Sequence, residues 1–413
     1  MSYQDAIQDS DIIDGLDVRY LKFFGLWQVI NDYRTTGKKN NIIKTTVLIS
    51  LLLAVPYVVF QFLSYFYIEV DIQKATFLNL NSLGAIQLCC RVFVFWIRID
   101  SQSRLVNLMK KNFLVIPIQK QEAVYELYNE ISKTTNFWCL TYILVNISVV
   151  ILYIADPGVS VDYILYHTGN MDAVTTGRKK ILGGWYPFPM NESPYYELIF
   201  LYESVCVLWA GVLIAVYFCL FFQVLCCLYA QFVVLGYDAQ TFNFDLENGE
   251  MLHHYHLRLS DTFRRILQDH QNLLRYSDEL RSVYNPLVTL TLGFGILVFI
   301  IGALQFLLGE TMSPAFMFKM SKVFVFQGVE VFLYCFGSSF IEAASSDLQF
   351  AIYSSQWYKA SKEIGKAVQM MMVGAKNGVR LTAIRMYPVN RETLMAILQF
   401  TYSTSTLMSR MTE

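Results

Sequence analysis

The sequence predicts an all-α fold: a polytopic membrane protein with seven transmembrane helices, its N-terminus cytoplasmic and its C-terminus extracellular. Three observations predict it. Of 413 residues, 55% are hydrophobic and only 16% are charged, whereas soluble domains carry about 25% charged residues. Apolar runs matching the roughly 20 helical residues that cross a bilayer core recur at 42–64, 76–97, 136–154, 196–228, 285–308, 314–341 and 388–409. Lys and Arg crowd the segment before the first run and the connections after the second, fourth and sixth runs. Such residues stay on the cytoplasmic side.

The elements follow in order. Residues 1–41 carry Arg19, Lys22, Arg34, Lys38 and Lys39 but no basic stretch leading into an apolar one. They read as a cytoplasmic segment, not a cleaved signal. Residues 42–341 hold spans one to six. Within them, 155–195 is rich in Gly, Pro and aromatics (GGWYPFPMNESP) and is expected outside as a lid. Asn191-Glu192-Ser193 is a glycosylation sequon there, with Pro194 directly after it. Asn146-Ile147-Ser148 has the same form but sits within a span.

From Phe263, apolar residues recur at Ile266, Leu267, Leu273, Leu274, Leu280, Tyr284 and Leu287, which is helical spacing with one polar face. Span five is thus expected to begin as a cytoplasmic anchor helix over 253–284. Residues 342–386 supply a second amphipathic helix (350–373) and a GAKNG turn, and 387–413 the last span and an extracellular end.

Several function classes drop out. A net charge of −1 leaves no basic footprint for nucleic acid. The eight cysteines lie in or beside apolar runs, as small buried side chains do. No nucleophile elbow or phosphate loop is present, so no catalytic residue and no cofactor is assigned. His253, His254 and His256 cluster without cysteine partners and are not assigned a metal.

Polar and aromatic groups inside spans are more informative, because lipid exposure is costly for them. Phe77, Asn81, Asn146, Ser148, Tyr153, Tyr196, Ile199, Tyr202, Glu203, Phe316, Phe324 and Gln327 fall in the outer halves of spans two, three, four and six. Together they suit a pocket for a small apolar molecule with one polar handle. Taken singly, each could equally join helices by hydrogen bonds and packing.

The last span raises its own question. Glu392, Ala396, Gln399, Ser403, Thr406 and Arg410 recur at three- and four-residue steps, giving one polar or small face. Several copies around an axis would gather that face around water as a pore; a packing face within one chain is the alternative.

At these residues the chain resembles the insect odorant receptor family. YPVNRETLMAILQFTYSTSTLM (387–408) looks like its C-terminal pattern. DHQNLLRYSDELRSVYNPL (269–287) is similar to its helix leading into span five, and YCFGSSFIEAASSDLQFAIYSSQWY (334–358) to its passage out of span six. The 183–204 stretch is similar to lepidopteran members.

The resemblance implies an odorant-gated nonselective cation channel in the cell membrane, assembled as a heterotetramer with a shared co-receptor subunit. It implies a small volatile odorant in the outer cavity, membrane lipid around the bundle, and cations permeating a pore lined by the last span. On that pattern Gln399, Tyr402, Ser403, Ser405, Thr406 and Met408 are the pore candidates. The pair Thr401-Tyr402 puts Ser405 at the gate, where co-receptor-like members carry a hydrophobic residue. Ser405 therefore points to a ligand-tuned partner of the co-receptor. Three rivals fit less well. A gustatory receptor would carry a Gln-Phe pair, which is absent after Tyr402 here; a transporter would be supported by inverted repeats, which the sequence does not show; and a G-protein-coupled receptor has the opposite polarity.

Overall fold

The computed structural model describes all residues except 1–7, 15, 17, 40, 68–71, 158–179, 190–191, 243–251, 309–313, 360–361, 377, 385 and 413. Two short helices, α1 (Arg19–Phe23) and α2 (Leu26–Thr36), precede the first long one, α3 (Asn41–Tyr67). Then come α4 (Ile72–Ile97), α5 (Ile99–Leu105), α6 (Gln121–Pro157), α7 (Tyr195–Gln240) and α8 (Leu252–Leu308). The chain closes with α9 (Pro314–Ser354), α10 (Lys362–Ala375), a two-stranded hairpin and α11 (Arg391–Thr412).

Six of these helices are long and apolar enough to cross a membrane, and α11 is a seventh, less apolar one. Their outer surfaces show the expected lipid face. On α6, Phe137, Leu140, Leu144, Ile147 and Ile151 recur at helical steps and are all exposed. Leu48, Leu51, Leu52, Val55, Val59 and Phe62 do the same on α3, as do Leu198, Leu201, Val205 and Leu208 on α7.

Several hydroxyls in these helices are satisfied internally. Thr46, Ser50, Ser64 and Thr141 each donate to a carbonyl four residues back, which removes the penalty of a bare hydroxyl in lipid. Pro56 lies inside α3 and brings no backbone donor. Beside that break the Leu53 carbonyl accepts from Tyr202 Oη at 2.8 Å, tying α3 to α7.

The lower half of α7 is buried on every side, from Phe218 to Ala239 with few gaps, so it forms the axis of the bundle. It packs chiefly against α9 and α6. At 57 residues, α8 is about 85 Å long at 1.5 Å per residue, far beyond a bilayer core. Its apolar stripe through Phe263, Ile266, Leu273, Leu280, Tyr284 and Leu287 is buried, as its spacing predicts.

One expectation needs correction. Residues 350–373 are not a single amphipathic helix. The Ser354 and Ser355 hydroxyls bond the carbonyls of Ala351 and Ile352 at the end of α9, and a short turn at Trp357–Lys359 separates it from α10. Local serine bonds of this kind compete with helix continuation.

The entry into α11 is built from Asn285 on α8. Its amide accepts from the Thr382 N–H (3.1 Å) and donates to Thr382 Oγ1 (2.9 Å). Thr382–Ala383 pairs antiparallel with Tyr387–Pro388, and Asn390 then caps α11 through the Thr393 N–H at 3.0 Å.

Candidate ligand-binding site

Helices α3, α4, α6, α7, α8 and α9 line a cavity of about 220 Å3. Its walls are mainly apolar: Leu53, Leu80, Leu88, Val149, Val150, Trp209, Ile214, Val298 and Phe326. Gly84 borders it with open space where a side chain would stand. At Gly211 the opposite holds. A Cβ there would lie 2.5 Å from Val150 Cγ2, so α6 and α7 touch and close the wall.

One end is roofed by the described part of the lid, residues 180–189. Leu182 lines the cavity, and its N–H donates to Glu203 Oε2 at 3.0 Å while Tyr186 Oη donates to Glu203 Oε1 at 2.8 Å. Glu203 is fully buried. Gln61 Nε2 donates to the Leu182 carbonyl (3.3 Å), the Trp185 N–H to Ser64 Oγ (2.7 Å), and Trp185 stacks on Tyr67. Glu203 thus supplies the acceptors that a folded-back loop needs when water is excluded.

The other end is polar. Arg91 on α4 and Glu330 on α9 are 4% and 1% exposed, with Nη2 and Oε1 at 2.5 Å. The same nitrogen donates to Thr291 Oγ1 on α8 at 3.0 Å. Arg91 Nε has no hydrogen-bond partner. Gln87 and Gln327 stand beside Thr291 at 3.5 Å. Such a pair within a membrane bundle is costly to desolvate, and its burial against the cavity marks the place where polarity is concentrated.

The predicted binding residues divide. Asn81, Asn146, Tyr153 and Gln327 line the cavity. Phe77 and Phe324 lie just beyond it, in a cluster with Leu80, Val298 and Met320. Tyr202 ties α7 to α3, and Glu203 holds the lid. Ile199 is buried outside the lining, and Tyr196 stacks near Phe200. Ser148 is not brought to the cavity; it is exposed and bonds the Leu144 carbonyl at 2.8 Å. The Phe316 side chain, Asn191 and the side chains of His253, His254 and His256 lie outside the described residues. Among those described, no His, Cys, Asp or Glu group could hold a metal.

Sequence reasoning missed span one, which contributes Ser50, Leu53, Ala54 and Tyr57, and span five, which contributes Phe294 and Val298. It also missed Arg91 and Glu330. Both were visible as lone charges inside apolar runs, RVFVFW and QGVEVF.

On α11, Gln399, Tyr402 and Ser403 are exposed, Tyr402 at 75%, and Thr406 is half-buried. Ser405 is 3% exposed, on the side of the helix that faces its own bundle, and donates to the Thr401 carbonyl. The Met408 side chain lies outside the described residues.

Comparison with known proteins fits this architecture. The profile of the 7tm Odorant receptor family matches residues 77–402. Odorant receptor 10 of Aedes albopictus is 25% identical over 223 residues, 53% of this chain and 56% of that protein. Odorant receptor 82a of Drosophila melanogaster is 27% identical over 203 residues, 48% of this chain and 49% of that protein. Odorant receptor 24a of the same fly is 41% identical over 76 residues, 18% of this chain and 19% of that protein. The matched stretches thus span from about a fifth to just over half of these relatives' lengths. In fold, the chain is similar to the insect olfactory receptor OR5 from Machilis hrabei in complex with eugenol. The TM-score is 0.75 at 15% identity, over 96% of this chain and 100% of that one. With its run of membrane-length helices, the chain is a multi-pass membrane protein and belongs to the 7tm Odorant receptor family.

Proposed function

We propose that this chain is the odorant-binding subunit of a heteromeric, odorant-gated nonselective cation channel. The observation that carries the reading is the cavity of about 220 Å3 between the helices, mainly apolar, polar at one end and bordered by a tethered loop. Such a site suits one small, mostly apolar molecule. The similarity in fold to a receptor solved with eugenol supports the same use.

In this reading the N-terminus and the lower parts of α8, α9 and α10 are cytoplasmic, and the lid is extracellular, with Asn191 available to glycosylation. Exposed apolar groups on the cytoplasmic part, including Phe350, Tyr353, Tyr358, Met370 and Val373, support packing against other subunits there. A shared co-receptor supplies those subunits. The α11 helices gather around a central pore, with Gln399, Tyr402, Ser403 and Thr406 toward the axis and Met408 beyond them, while Ser405 at the gate level is turned toward its own bundle. The exposed polar stripe of α11, which a single chain leaves without a partner, supports that arrangement. Odorant opens the pore because it binds the open arrangement more tightly than the closed one.

The test is current through membranes of cells carrying this chain with the co-receptor, while G-protein turnover is blocked. Odorant-evoked current is expected to persist; its loss under the block would overturn the channel mechanism.

A further inference from the structure

Two further crevices open beside Phe24, outside the central cavity. We infer that they hold one anionic phospholipid, an acyl chain on each side of Phe24 and the headgroup among Lys22, Lys38, Lys39 and Lys44. The leaflet concerned is the cytoplasmic one in the orientation proposed above; the binding chemistry does not depend on that orientation.

The first crevice, about 160 Å3, lies between α6 and α7, and the second, about 130 Å3, between α3 and α7. Phe24 borders both, as do Val212 and Val216, which are one turn apart on α7. The crevices therefore flank a single ridge, a fit for a lipid with two chains. The first runs along α7 from Leu208 to Cys219, about 16 Å at 1.5 Å per residue, which is about one leaflet of a roughly 30 Å core. Both reach the lipid face, through the exposed side chains of Leu208 and Ile147 in the first and Ile42 in the second. Their walls come from α1 to α4, α6 and α7, whereas α11 packs on α8 and α9. A pore-side neighbour would therefore leave them open.

Several polar groups at the crevices are turned inward. Tyr20 Oη accepts from Gln223 Nε2 at 2.7 Å, Thr46 Oγ1 donates to the Ile42 carbonyl at 2.9 Å, and Trp209 Nε1 donates to Ser50 Oγ at 3.1 Å. What faces the crevices is mainly hydrocarbon, which suits an acyl chain better than water.

Charge selects the headgroup. Between Arg19 and Lys44 the chain has six basic residues and one acidic, Asp32. Arg34 is buried against Asn107. Lys38, Lys39 and Lys44 are exposed, and Lys22 is half-buried two residues before Phe24. Lys39 Nζ stands 4.6 Å from the ring centre of Trp96 at the end of α4, and Lys44 lies in the first turn of α3, next to Ile42 and Ile43 of the second crevice. Phe23 beside them is 84% exposed. Basic and aromatic groups at the rim of an apolar groove mark the membrane interface and attract anionic lipid.

The purified full-length chain in detergent micelles would be titrated with three lipids: dioleoyl phosphatidylserine, dioleoyl phosphatidylcholine and one-chained oleoyl lysophosphatidylserine. Binding is read from the rise in melting temperature. Phosphatidylserine is expected to bind at least tenfold more tightly than either of the others. The variant Lys22→Gln/Lys38→Gln/Lys39→Gln/Lys44→Gln, which changes no buried side chain, is expected to bring it down to the phosphatidylcholine level. Ile42→Trp/Ile147→Trp adds bulk to both crevices from their exposed side and is expected to weaken both two-chained lipids at least tenfold. Should that pair not fold, Ile147→Trp alone fills one crevice and is expected to reduce phosphatidylserine to the lysophosphatidylserine level.

Equal binding of the two-chained lipids would mean ordinary solvating lipid only and would overturn the inference. So would a preference that survives the lysine changes, lysophosphatidylserine binding as tightly as phosphatidylserine, phosphatidylserine binding unmoved by the tryptophans, or no lipid binding.

Discussion

Replacing Glu203 with Leu removes the acceptor of two buried donors, the Leu182 N–H and the Tyr186 hydroxyl. A buried donor left unpaired costs about 1–3 kcal/mol, so the docked lid loses roughly 2–6 kcal/mol relative to an open one. The ties from Gln61 and Ser64 remain and keep the loop near the bundle. Glu203→Gln retains one carbonyl oxygen as an acceptor and forfeits one bond, so its effect is about half as large. Amide hydrogen exchange of residues 180–189 reads the change directly. At 1.4 kcal/mol per factor of ten, even the lower bound speeds exchange of the Leu182 amide by about thirtyfold in Glu203→Leu. Ligand dissociation is expected to quicken with it, because Leu182 forms part of the cavity roof. Exchange within threefold of wild type in Glu203→Leu would show that Glu203 does not hold the lid.

Three further outcomes are expected. Gly211→Ala sets a Cβ 2.5 Å from Val150 Cγ2, so α6 and α7 must part and stability falls by about 1–3 kcal/mol; an unchanged melting temperature would contradict the close approach. Asn285→Ala leaves the Thr382 N–H without its acceptor and is expected to cost about 1–3 kcal/mol, measured by thermal unfolding, with raised basal current as the seat of α11 loosens. With cysteine at position 403 the current becomes sensitive to small thiol reagents, whereas with cysteine at 405 it does not, because Ser405 faces its own bundle; the reverse pattern would rotate α11 about its axis.

The long helices were legible because lipid imposes one simple rule, an apolar run of fixed length, and α3, α4 and α6 to α9 obey it. The extension of α8 was legible too, since its buried stripe keeps helical spacing from Phe263 to Leu287. What escaped was pairing across distance. Glu203 reads as a pocket group because it lies in an outer half-span, yet its partners are Leu182 and Tyr186 on a loop whose path no periodicity reveals. Arg91 and Glu330 are single charges averaged away in runs of apolar neighbours, and only the folded bundle brings them to 2.5 Å. Tyr57 and Ser50 were hidden in a strongly apolar span, where the sequence does not mark which residues face inward. On α11 the polar stripe was legible, but the phase that buries Ser405 is set by contact with α8 and α9, most of which is distant in sequence.

Occupancy of the cavity is tested most directly at Gly84, which lines it with nothing within 4 Å of an added Cβ. Odorant dose–response curves would be recorded from cells expressing the chain with the proposed co-receptor subunit, with Gly84 changed in turn to Ala, Val and Phe and surface expression measured in parallel. The half-maximal concentration is expected to rise stepwise with side-chain volume, and Gly84→Phe to abolish the response at normal surface levels. A wild-type curve from Gly84→Phe would mean that the odorant acts from somewhere else.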